Sequence, residues 1–103
     1  EALRAAGLDN PLIAPRYRST YFNHIFAGGY SAGYYSYLWA EALDADGFEW
    51  FKEQTDLRAA GQRFRDLILS KGASRDFTEA YREFRGRDKD VAPLLKRRGL
   101  AGA

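Results

Sequence analysis

The chain has no cysteine and no methionine, and one of its 103 residues is histidine. Without cysteine there is no disulfide framework, no thiolate nucleophile and no cysteine-ligated metal. A catalytic zinc takes three protein ligands, commonly two of them histidine. One histidine and no H-E-x-x-H motif therefore leave these residues without a zinc site of their own. No apolar run approaches the ~20 residues a membrane-spanning helix needs, and no secretory leader pattern is visible, so no membrane partner is expected. The missing methionine points to a segment of a longer polypeptide. The cytoplasm is the expected setting, with export left open because the true N-terminus is not in view.

Charge of either sign is not in excess overall: the formal net charge is +2. It is unevenly placed, with three Lys/Arg against six Asp/Glu in residues 1–50 and thirteen against eight in residues 51–103. A basic half can mark a nucleic-acid surface. Here the signs alternate, as in RFRDLILSK and REFRGRDKD, which is the pattern of solvated helices, and no nucleic-acid partner is expected.

Aromatic residues are plentiful and concentrated. Eleven of sixteen fall between Tyr17 and Trp50. Ahead of them, Glu1–Ala6 reads as a helix tail closed by Gly7, and LDNPLIAP as an irregular connection. Tyr17–Phe26 has the β-branched and aromatic content of a short extended segment, broken by Gly28-Gly29.

From Ser31 to about Gln54 the periodicity becomes helical, with Leu38, Ala42, Ala45, Phe48 and Phe51 on one face. Asp56 is placed to cap a second helix through Leu57, Ala60, Phe64, Leu67 and Ile68, with Gly72 past its end. Ser74 is placed to cap a third through Phe77, Tyr81 and Phe84, closed by Gly86. Asp88 or Asp90 opens a fourth over VAPLLKRRGL, where Pro93 suits the first turn and Lys96, Arg97 and Arg98 complement the helix dipole. The expected fold is all-α: about four helices (residues 30–103) after an irregular or short extended stretch and glycine loop (residues 1–29), in one segment.

Three sets of residues could carry chemistry. His24 beside apolar neighbours is either a packed, hydrogen-bonded side chain or a ligand-binding one. Tyr30, Tyr34 and Tyr37 fall at i, i+4 and i+7, so one helical face would present all three, while Tyr35 and Trp39, with Leu38, would be core. A tyrosine stripe can itself be core, but the small residues Gly28, Gly29, Ser31, Ala32 and Gly33 favour a loop that moves and approaches a ligand closely. Tyrosine hydroxyls are neutral donors at pH 7 and suit a developing oxyanion. Asp44, Asp46, Glu49 and Glu53 make no acid–base dyad by spacing and are expected in solvent, and Arg16 and Arg18 are either surface arginines or placed to meet a carboxylate.

The segment FNHIFAGGYSAGYYSYLWAEALDADGFEWF, with its HxxxGGYxxxYYxYLW core, resembles the C-terminal region of the thimet oligopeptidase-like zinc metallopeptidases, in particular the bacterial peptidyl-dipeptidase branch. GQRFRDLILSKGASRDF, YREFRGRD and PLLKRRGL resemble the closing helices of those enzymes in the same order. The resemblance implies a large, mainly α-helical enzyme that releases C-terminal dipeptides from oligopeptides. Its zinc would be held upstream by H-E-x-x-H and a later glutamate, none of it within these residues. It also implies that His24 hydrogen-bonds the bound peptide and that Tyr34 and Tyr37 stabilise the tetrahedral intermediate, Tyr37 as the preferred oxyanion donor. Tyr30 would touch substrate on a loop freed by Gly28, Gly29 and Gly33. The partners implied are an oligopeptide and the missing N-terminal portion of the same enzyme, without which the segment would be inactive. A small helical nucleic-acid-binding or protein-interaction module is the alternative.

Overall fold

The computed structural model describes residues 1–101, which divide into two compact units, residues 1–34 and residues 35 onward. Among the described residues there are six α-helices and no strand longer than an isolated bridge, so the all-α expectation holds.

The first unit opens with α1, Ala2–Ala5, closed by Gly7 at φ +70°, where the amide of Leu8 reaches back to the carbonyl of Leu3 at 2.8 Å. The connection that follows is ordered by Asn10, whose side-chain oxygen accepts from the amide of Leu12 at 2.9 Å, while Asn10 and Ile13 form a single antiparallel bridge. The extended segment expected over Tyr17–Phe26 is not there. The chain makes a 3₁₀ turn at Ser19–Tyr21 and then α2, Asn23–Phe26. An extended strand needs a neighbour for its backbone groups, and the described residues offer none. Turning instead brings the rings of Tyr17 and Phe22 into a parallel stack at 4.7 Å.

The second unit is built on α3, Ser36–Lys52. This helix starts five residues later than periodicity predicts, because residues 27–35 stay in turns after Gly28, whose φ of +117° is a conformation only glycine adopts readily. Helix α4, Leu57–Phe64, is capped as expected: the Asp56 carboxylate accepts from the amides of Arg58 and Ala59. It then widens into one π turn, Arg65–Leu69, marked by the amide of Ser70 donating to the carbonyl of Arg65 at 2.8 Å.

Helix α5, Phe77–Arg85, is capped by Asp76, which accepts from the amide of Glu79, and not by Ser74, which sits two residues earlier in the turn. A carboxylate next to the first turn also meets the positive end of the helix dipole, which a serine hydroxyl does not match. Gly86 closes α5 at φ +81°. Helix α6, Ala92–Arg97, follows Asp90, whose carboxylate accepts from the amide of Ala92.

Apolar packing holds this unit together on two sides of α3. Ala42 and Ala45 of α3 let α6 approach closely, burying Leu94 against them. On the other side, Phe84 of α5 is 1% exposed and meets the rings of Trp50 at 4.6 Å, Phe64 at 5.1 Å and Phe51 at 6.0 Å. Arg63 of α4 donates to the carbonyls of Glu83 and Phe84, groups that the end of α5 leaves without intrahelical partners. Leu38, Trp39 and Tyr35, expected in the core, are each more than half exposed. Helix α6 packs on the alanine stripe of α3 and leaves these three side chains open to solvent.

Candidate functional site

Three of the four aromatic site candidates share the first unit. His24 lies in α2, and its ring is surrounded by Tyr34 at 5.5 Å, Tyr17 at 5.9 Å, and Tyr30 and Phe22 at 6.2 Å each. Tyr34 stands edge-on to Phe22 at 4.7 Å, and Tyr30 edge-on to Tyr34 at 6.4 Å. Each such ring pair adds about 0.5–1.5 kcal/mol beyond the area it buries. The guanidinium of Arg16 sits 5.4 Å from the centre of the Tyr17 ring, so Arg16 is a cation–π partner and not only a solvated charge.

His24 itself is half-buried, and its Nδ1 is shielded from solvent without a hydrogen-bond partner. Among the described residues it is the only buried side-chain nitrogen or oxygen in that condition. Native structures pair the great majority of such groups, so a stranded ring nitrogen at a candidate site is informative.

Tyr30 and Tyr34 are not on a helix. They occupy the turns of residues 29–35, where the amide of Gly33 reaches the carbonyl of Tyr30 at 3.3 Å. The single helical face expected for Tyr30, Tyr34 and Tyr37 is therefore absent. Ring packing in place of helical spacing brings Tyr30 and Tyr34 to His24. Tyr37 belongs to the second unit, in the first turn of α3, with half of its surface exposed. Of the loop glycines, Gly28 alone needs its residue type for backbone reasons; Gly29 and Gly33 have no positive φ. A side chain at Gly33 would meet the Gly29 carbonyl oxygen at 3.5 Å, an ordinary contact.

The residue that sequence reasoning misjudged is Asp46. Expected in solvent, its side chain is fully buried at 0% exposure in α3. Arg87 grips it with both terminal guanidinium nitrogens, Nη2 at 2.6 Å and Nη1 at 3.3 Å. Tyr81 donates its hydroxyl at 2.9 Å, Arg85 its Nε at 3.2 Å and Asp90 its amide at 3.2 Å. Burial pushes the carboxyl up, but the hydrogen bonds from Arg87, Tyr81, Arg85 and the Asp90 amide outweigh it and hold Asp46 below the usual carboxylate range. The same contact acts oppositely on Tyr81, whose hydroxyl is pushed well above its ordinary value by burial and then by the adjacent carboxylate. Every donor comes from 35 or more residues away, so no local pattern foretells the burial. Asp44, by contrast, is exposed and pairs with Arg97.

No group of three or more His, Cys, Asp or Glu side chains among the described residues could hold a metal ion. A zinc ion does not fit the described residues. The basic second half is extensively paired within the molecule: Arg75 with Glu83, Arg82 with Asp88, Arg97 with Asp44 and Arg98 with Glu41.

Residues 1–100 match Peptidase family M3. The chain is 54% identical over 100 residues to the dipeptidyl carboxypeptidase of Escherichia coli, which covers 96% of this chain and 15% of that protein. It is 49% identical over 82 residues to oligopeptidase A of the same organism, covering 79% of this chain and 12% of that protein. A probable cytosolic oligopeptidase A of Arabidopsis thaliana is 49% identical over 87 residues, covering 80% of this chain and 12% of that protein. The chain thus spans a small part of the length of the curated relatives it matches. On the family match over residues 1–100, it belongs to Peptidase family M3.

Proposed function

We propose that this chain is the substrate-binding C-terminal part of a zinc metallopeptidase that releases dipeptides from the C-termini of oligopeptides. The carrying observation is the 54% identity to a dipeptidyl carboxypeptidase across 96% of the chain. His24 hydrogen-bonds the backbone of the bound peptide, and Tyr30 contacts the peptide from the turn beside it. Tyr34 and Tyr37 direct neutral hydroxyls at the carbonyl oxygen under attack, Tyr37 as the principal donor, where one such donor contributes about 3–4 kcal/mol. Gly28, Gly29 and Gly33 give the loop its freedom to close. The positive φ of Gly28 and the clustering of His24 with Tyr30 and Tyr34 support these roles.

The zinc and the general base are supplied by the upstream portion of the enzyme, and the isolated chain is inactive. The half-exposed side chains of Leu38, Trp39 and Phe48 fit a surface that this upstream portion covers. No helix of the described residues is long and apolar enough to cross a membrane. A cytoplasmic setting belongs to the same proposal.

The test compares the 103-residue chain with the complete enzyme on an N-acylated oligopeptide, with products identified by mass spectrometry. The complete enzyme binds zinc and releases C-terminal dipeptides; the chain alone does neither. Stoichiometric zinc binding and peptide cleavage by the chain alone would refute the division of labour. Salt-sensitive retention of the chain on DNA would instead favour the nucleic-acid-binding module.

A further inference from the structure

Tyr17 and Phe22 take no part in the roles assigned so far, yet their rings lie in parallel at 4.7 Å with an interplanar angle of 6°. Both flank His24, at 5.9 and 6.2 Å, and Arg16 supports the Tyr17 ring from outside. The imidazole is thereby held among four aromatic rings, and Nδ1 is shut away from water with nothing to bond.

We propose that the Tyr17–Phe22 stack is a positioning platform that leaves Nε2 as the single hydrogen-bonding nitrogen of His24, fixing it as an Nε2–H donor to a substrate carbonyl oxygen. The inference deepens the proposed peptide-binding role and rests on it. A neutral imidazole has one N–H donor and one acceptor nitrogen. A proton on Nδ1 would be a buried donor without an acceptor, a state rarer in folded proteins than an under-satisfied acceptor. The proton therefore resides on Nε2. This tautomer cannot accept at Nε2, so His24 recognises a carbonyl oxygen and not an amide N–H. Tyr17 and Phe22 act through His24 and need not touch the peptide.

Glutamine and asparagine separate the two ring nitrogens, since the glutamine amide nitrogen lies near the place of Nε2 and the asparagine nitrogen near that of Nδ1. In the complete enzyme, His24→Gln is expected to keep most of kcat/KM. His24→Asn should fall with His24→Ala by about 10–100-fold, the loss of one buried hydrogen bond. Tyr17→Leu should lower kcat/KM in the same direction, and Tyr17→Phe, which keeps the ring, should rescue it. Asparagine equal to or better than glutamine would overturn the Nε2–H assignment. An unchanged kcat/KM in His24→Ala would instead overturn the peptide-binding role of His24 on which it rests. A direct readout is available because the chain holds one histidine. With ¹⁵N-labelled histidine at alkaline pH, the chain should show a proton bonded to Nε2 and a bare Nδ1; the reverse pattern would contradict the proposal.

Discussion

The hydroxyl of Tyr81 in α5 donates to Oδ2 of Asp46 in α3 at 2.9 Å, and both side chains are buried. The same hydroxyl lies 3.2 Å from the carbonyl oxygen of Leu43. Around this pair, Arg85 and Arg87 bring the end of α5 and the chain after it onto α3. An Asp46→Ala change removes the acceptor and leaves buried donors without a partner. It should destabilise the chain by about 3–5 kcal/mol in urea denaturation. Tyr81→Phe, which removes one donor of several, should cost about 1–3 kcal/mol.

The pH dependence follows from the same pair. Asp46 is held below the usual carboxylate range, so its contribution is complete above the unfolded-state value near ~3.9 and is lost as pH falls through its lower native value. Tyr81 is raised, so the folded state resists losing that proton while the unfolded chain releases it near ~10. Stability should therefore also fall as pH climbs above about 10. Urea midpoints between pH 2 and 11 check both limbs. The stability gap between wild type and the Asp46→Ala, Tyr81→Phe double variant should narrow toward the acid end.

Gly47 lies inside α3, where glycine costs roughly 0.5–1 kcal/mol relative to alanine. A methyl group there would meet Phe84 at 3.8 Å and the Tyr81 hydroxyl at 3.9 Å, both ordinary contacts. Gly47→Ala should therefore raise the unfolding free energy by that amount, read as a higher urea midpoint at an unchanged slope.

Phe84→Ala would open the ring cluster of Trp50, Phe51 and Phe64. The expected loss is about 3–5 kcal/mol. Trp50 fluorescence should report it, since that ring packs directly on Phe84 at 4.6 Å.

Helical architecture was readable because its signals are local. Asp56, Gly72 and Gly86 act within a turn of themselves, and each stands where its residue type predicts. The start of α3 and the conformation of Tyr17–Phe26 were misread because ring packing and the Gly28 turn override helical and extended spacing alike. Tyr30 and Tyr34 reach His24 through that packing, so their shared periodicity pointed to real neighbours by the wrong geometry. Asp46 was illegible, since its partners are assembled by the tertiary fold alone.

The proposed function has this segment supplying transition-state donors to a peptidase whose metal lies elsewhere in the enzyme. Steady-state kinetics of Tyr37→Phe in the complete enzyme tests it most directly. One oxyanion donor lost should lower kcat by about 100–1,000-fold with little change in KM. A kcat equal to that of the unmodified enzyme would contradict it.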